Sequence, residues 1–146
     1  MKLLSLEANK SSFNKVEFNP SGLSIIAAVK KTNDKRKTYN SLGKSLTISL
    51  IHFCLGSNPN KEFEDKLPEW EFYLKFKIKE QEFIAKRATG NQKVIFLNGT
   101  EYTLDKFKAF LTKLVFEIPE NSKFISFRGL ISRFIRPSKY SYNHYN

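Results

Sequence analysis

The chain has one cysteine, Cys54, so no internal disulfide can brace it and the hydrophobic core has to hold the fold. It has no uninterrupted apolar run of about eighteen residues, so no membrane-spanning helix is expected. The opening Met1-Lys2-Leu3-Leu4-Ser5-Leu6-Glu7 turns polar too soon for a secretory signal peptide. There is no internal repeat and no low-complexity stretch, which sets aside solenoids and fibrous or disordered chains. Histidine is scarce, and neither His52 nor His144 has a second His or Cys at metal-ligand spacing, so His52 reads as a structural helix residue. These absences point to a cytoplasmic chain of 146 residues forming one domain or one lobe.

Positive charge and phenylalanine are plentiful. The formal net charge is +11, yet no run of Lys or Arg is long enough to act as a basic tail. Two causes compete: a surface that faces nucleic acid, or a half-domain separated from an acidic partner lobe.

The most informative stretch is Asn40-Ser41-Leu42-Gly43-Lys44-Ser45, preceded by the apolar run Gly22 to Val29 and followed by Leu46 to Leu55. A buried strand, a loop ending in Gly-Lys-Ser and an apolar helix form the arrangement that cradles nucleotide phosphates. Backbone N–H groups of Leu42, Gly43 and Leu46 would face the phosphates at a helix N-terminus, Lys44 would reach the outer phosphate oxygens, and the Ser45 hydroxyl would ligate Mg²⁺. The full pattern asks for glycine five positions before Gly43, where this chain has Thr38. Leu46, Ile48, Leu50, Ile51, Phe53, Cys54 and Leu55 leave almost no polar face, so a central, buried helix is expected, with Gly56 ending it.

Along the chain, Lys2 to Ala8 and Val16 to Phe18 read as strands, Asn19 to Gly22 as a turn, Gly22 to Lys30 as a central parallel strand, and Ser57 to Leu67 as a loop. From Trp70 to Ile78 apolar and polar residues alternate strictly, which predicts a half-buried antiparallel strand paired with Gln81 to Arg87 across Lys79-Glu80. Val94 to Leu97, Asn98-Gly99 and Glu101 to Leu104 predict a hairpin with a type I′ turn. Thr103 or Asp105 caps a helix to about Phe116, and Ser126 caps a last helix, Phe127 to Ile135. Lys75, Lys77 and Lys79 share the solvent side of one strand, with Lys86 and Arg87 on its neighbour, and form a candidate nucleic-acid face.

Three stretches resemble a known family: Met1 to Val29, Asn40 to Gly56, and Ser126 to Arg136. The chain is similar to the N-terminal ATPase half of coiled-coil ABC-type ATPases of the SMC, RecF and RecN kind, and closer to an uncharacterised bacterial branch. In such proteins Gly stands where this chain has Ser41. The resemblance implies an α/β fold, the N-terminal lobe of a P-loop ABC-type ATPase head, with a mixed sheet around a central buried helix and a small antiparallel sheet beside it. It implies ATP and Mg²⁺ as cofactors, a C-terminal lobe and a second head as partners, and DNA as a further partner in maintenance or defence. It places Lys10 near the nucleotide, and Arg128, Arg133 and Arg136 near a nucleotide-sensing loop. No Walker B carboxylates, signature motif or sustained heptads occur, so the chain reads as residues 1–146 of an incomplete or naturally shortened head. The rival expectations are a non-enzymatic basic module that binds nucleic acid and a truncated head that serves only to pair with another protein.

Overall fold

The computed structural model describes residues 1–26, 43–118 and 127–131. Its frame is set by the alternation predicted from Trp70 onward. Strand β3 (Glu71–Ile78) turns through Lys79-Glu80 into β4 (Gln81–Ala88), and the two pair in unbroken register from Glu71↔Ala88 to Ile78↔Gln81. Because side chains alternate across a strand, this register puts Phe72, Leu74, Phe76, Ile78, Phe83 and Ala85 on one buried face. Strand β1 (Lys2–Ala8) pairs with the other edge of β3, and the two-residue β2 (Val16–Glu17) pairs with β1. Strands β5 (Val94–Leu97) and β6 (Thr100–Thr103) extend the opposite side. The result is a six-stranded sheet in the order β2-β1-β3-β4-β5-β6, with every neighbouring pair antiparallel.

The Asn98-Gly99 turn joins β5 to β6 with both residues at positive φ (48° and 83°), as a type I′ turn requires. This turn swings the Asn98 carbonyl out of the ladder with β4. The Asn98 N–H still donates to the Ile84 carbonyl (3.0 Å), and the side-chain Oδ1 takes the place of the missing backbone acceptor, receiving the Ile84 N–H at 2.8 Å.

The helices cover the apolar face. Helix α1 (Lys44–Cys54) lies over β3 and β4, α2 (Lys61–Lys66) follows it, and α3 (Leu104–Phe116) packs by β5 and β6 with α4 (Phe127–Ile131) against it. The phenylalanines form two nests. Phe53 meets Phe63 and Phe72 edge-on while Phe13 and Trp70 close on Phe72, and farther along Phe76 stacks on Phe83, which meets Phe110. Each fully buried large apolar side chain contributes about 1.5–3 kcal/mol. Thr103 caps α3, its hydroxyl accepting the Lys106 N–H.

Four expectations are corrected. In place of a mixed sheet with a small antiparallel sheet beside it, the described strands form one antiparallel sheet, because each is joined to or paired with its neighbour in the antiparallel sense. The described part of the anticipated central strand, residues 22–26, is irregular, with Leu23 and Ile25 each 78% exposed. An apolar run becomes a strand only with a partner for its backbone. Here a local turn takes over, with Ser21 N–H donating to Asn19 Oδ1 and Asn19 N–H to Ser24 Oγ. The remainder of that strand, 27–30, lies outside the described residues. Helix α1 buries apolar side chains only along its C-terminal half, at Leu50, Ile51, Phe53 and Cys54; Leu46 and Ile48 are exposed, and Thr47 is the buried residue of the N-terminal half. The anticipated loop Ser57 to Leu67 contains α2, capped by Asn60, whose Oδ1 accepts the Glu62 N–H at 2.9 Å.

Candidate phosphate-binding site

Helix α1 starts after Gly43, which holds a left-handed conformation (φ 78°, ψ 2°) with no atom of the described residues beyond its chain neighbours within 4 Å of where a Cβ would lie. A side chain there would be strained by backbone, not by neighbours. The Gly43 carbonyl accepts both the N–H (2.8 Å) and the hydroxyl (3.0 Å) of Thr47, which fixes the first turn. Among the described residues no side chain caps this end, and no acidic residue lies in its first turn. The first-turn N–H groups have no intrahelical acceptor, and the helix dipole makes this end electropositive. Ser45 and Leu46 are exposed on this turn, and Lys44 is its first helical residue. Asn40, Ser41 and Leu42, and Thr38 before them, lie outside the described residues, so the structure brings together Gly43, Lys44, Ser45 and Leu46 of the candidate loop. Among the described residues there is no cluster of three or more His, Cys, Asp or Glu that could hold a metal ion.

The other end of α1 is held by a residue expected elsewhere. Arg87, expected in the solvent-facing lysine row, is fully buried on the core face. The reason is parity. Phe83, Ala85 and Arg87 point one way along β4, and Lys86 points the other. The Arg87 guanidinium donates from Nη1 to the Phe53 carbonyl (2.6 Å) and from Nε (3.0 Å) and Nη2 to the Gln92 carbonyl, and lies 4.2 Å from the Phe53 ring centre. Burial lowers its pKa from 12.5 to about 10, which leaves it charged at neutral pH. The Gln92 side chain in turn brackets the Asn60 backbone, accepting its N–H (2.7 Å) and donating to its carbonyl (2.9 Å). Thr89 Oγ1 bonds the carbonyls of Leu67 and Trp70. One buried polar network thus ties the end of α1, the start of α2 and the β4–β5 connection together. Cys54 lies beside it, fully buried, its thiol pushed from 9.0 up to about 12 by burial.

The remaining lysines of the candidate nucleic-acid face are already partnered. Lys75 meets Glu82 (2.7 Å), Lys77 meets Glu80 (2.7 Å), Lys79 meets Glu117 (2.7 Å) and Lys86 meets Glu71 (3.4 Å) while lying over the Phe96 ring. The Lys77, Lys75 and Lys79 ammonium groups hold the Glu80, Glu82 and Glu117 carboxyls below their ordinary pKa. The Tyr73 hydroxyl, at 2.7 Å, does the same for Glu71 and is itself raised to about 12. The outer face of the sheet is an ionic ladder of both signs.

Lys10 lies in the turn after β1, where its carbonyl accepts the Phe13 N–H. His52 is in the last turn of α1 and lines a cleft of about 340 Å³ with Ser49, Ser57 and Asn60. Arg128 is on α4, and Arg133 and Arg136 lie outside the described residues. Among the described residues no helix is long and apolar enough to cross a membrane. The Gln92–Asn60 pairing carries no periodic signal in the sequence, whereas the burial of Arg87 is readable from its place in the β4 alternation. No family model, no curated protein and no solved structure matches this chain.

Proposed function

We propose that this chain is the ATP- and Mg²⁺-binding N-terminal lobe of an ABC-type ATPase head, similar to the SMC, RecF and RecN kind. The observation that carries this reading is the start of α1. Gly43-Lys44-Ser45 sits at a helix end with no side-chain cap among the described residues, Gly43 is in the left-handed conformation, and no acidic residue lies in the first turn. ATP would lay its phosphates on the first-turn N–H groups, with Lys44 on the outer oxygens and Ser45 toward Mg²⁺. The groups that activate water would come from a C-terminal lobe, and a second head would close on the nucleotide. The setting in DNA maintenance or defence comes with the resemblance.

The test is binding of a fluorescent ATP analogue with and without Mg²⁺. Wild-type chain is expected to bind, and Lys44→Ala to lose most of the affinity. Binding unchanged by Lys44→Ala, or no binding even with a C-terminal lobe supplied, overturns the proposal. A second reading, a head that only pairs with another protein, is favoured by the exposure of Leu23, Ile25, Leu46 and Ile48. That reading predicts partner binding indifferent to nucleotide. The basic nucleic-acid module draws less support, because each lysine of its proposed face already has a carboxylate partner.

A further inference from the structure

Asn98-Gly99 is the one Asn-Gly pair in the sequence, and it sits exposed at the tip of the β5–β6 hairpin. Asparagine followed by glycine is the pair most prone to spontaneous deamidation. With no side chain on the following residue, its backbone nitrogen can approach the asparagine amide carbon. The Gly99 nitrogen loses its proton and attacks Asn98 Cγ, the amide nitrogen leaves as ammonia, and a five-membered succinimide forms. Water then opens the ring at one carbonyl to give aspartate, or at the other to give isoaspartate.

We propose that Asn98 is a deamidation site held in check by Ile84, so that its conversion records opening of the β4–β5 edge. The side-chain oxygen is fixed 2.8 Å from the Ile84 N–H, while the backbone N–H of the same residue is fixed on the Ile84 carbonyl. Two bonds to one residue of the neighbouring strand leave the side chain turned toward β4 and unable to swing over the Gly99 nitrogen. The attack requires the bond between Oδ1 and the Ile84 N–H to part. The two products then differ in consequence. Aspartate keeps an oxygen where the Ile84 N–H expects one. Isoaspartate inserts an extra methylene into the backbone, and a two-residue type I′ turn has no place for it.

The experiment follows the peptide containing Asn98 by mass spectrometry, reading the change from amide to acid and separating aspartate from isoaspartate by chromatography. The full chain is incubated at mildly alkaline pH, folded and in urea. Asn98 is expected to convert at least about tenfold more slowly in the folded chain, because only the open fraction reacts. Ile95→Val, which trims a fully buried β5 side chain without touching the turn, is expected to narrow that difference. Equal rates in folded and unfolded chain would overturn the proposal, as would protection unaffected by an Ile95→Val change that measurably lowers stability.

Discussion

Replacing Arg87 by methionine removes a buried fork of donors while roughly preserving the volume it fills. The Gln92 carbonyl loses both its Nε and Nη2 donors, and leaving it orphaned costs about 1–3 kcal/mol. The Phe53 carbonyl keeps a bond from the Gly56 N–H at 3.1 Å, so the loss of Nη1 there costs only about 0.5–1.5 kcal/mol. Stacking on the Phe53 ring is largely replaced by a thioether–aromatic contact. Against these losses stands relief from holding a guanidinium out of water, a cost visible in its lowered pKa. The net destabilisation is about 2 kcal/mol. In urea unfolding followed by Trp70 fluorescence, a slope of about 1–3 kcal/mol per molar puts the midpoint roughly 1 M lower. Arg87→Lys sharpens the test. Lysine keeps the buried charge but presents it as a point and not a fork, so it retains the desolvation cost and loses the paired bonds. The stability order is therefore Arg, then Met, then Lys. A Met variant as stable as wild type, or a Lys variant more stable than Met, would refute the view that the forked bonds hold this corner together.

Asn60→Ala removes the α2 cap and is expected to cost about 1 kcal/mol, read as a lower urea midpoint with an unchanged slope. Cys54 is expected to resist alkylation in the folded chain at neutral pH and to react in urea, checked by mass spectrometry. Cys54 and Tyr73 both have folded pKa values raised to about 12, above their ordinary 9.0 and 10.0. Their contribution is intact below pH 9 and is lost as pH climbs toward 12, so the urea midpoint falls over that window, less steeply in Tyr73→Phe. Replacing Lys75 and Lys86 together by alanine is expected to leave the affinity and salt slope of any DNA binding nearly unchanged in fluorescence anisotropy, because both are engaged with Glu82 and Glu71.

The elements most legible in the sequence were those specified locally. The period-two run from Trp70 gave β3, the Asn-Gly pair gave the β5–β6 turn, and Thr103 with its apolar face gave α3. Helix α2 was hidden because Phe63 is its only buried residue, so no periodicity marks it, although Asn60 followed by Glu62 and Glu64 was a usable start signal. Residues 23–26 misled for the opposite reason: apolar composition was present, and among the described residues no strand pairs with them. Arg87 was misplaced through its chemistry, since a lysine-rich neighbourhood outweighed the parity that put it beside Phe83 and Ala85. At the candidate site, Gly43, Lys44 and Ser45 stand at the start of α1, while the strand expected before them is irregular over its described residues 22–26. The buried network at the far end rests on Gln92 and Asn60, which only the folded chain brings together.

The strand order also dictates a schedule. Lys2 is opposite Lys77, so β1 has no complete neighbour until roughly 70 further residues have been made, which at about 5–20 residues per second means waiting several seconds. During that interval the nascent first strand must be kept from mispairing. The β3–β4 and β5–β6 hairpins each close within a few residues of their own synthesis. A ribosome pause once β3 has cleared the exit tunnel would therefore let the early segment dock before later hairpins compete for it.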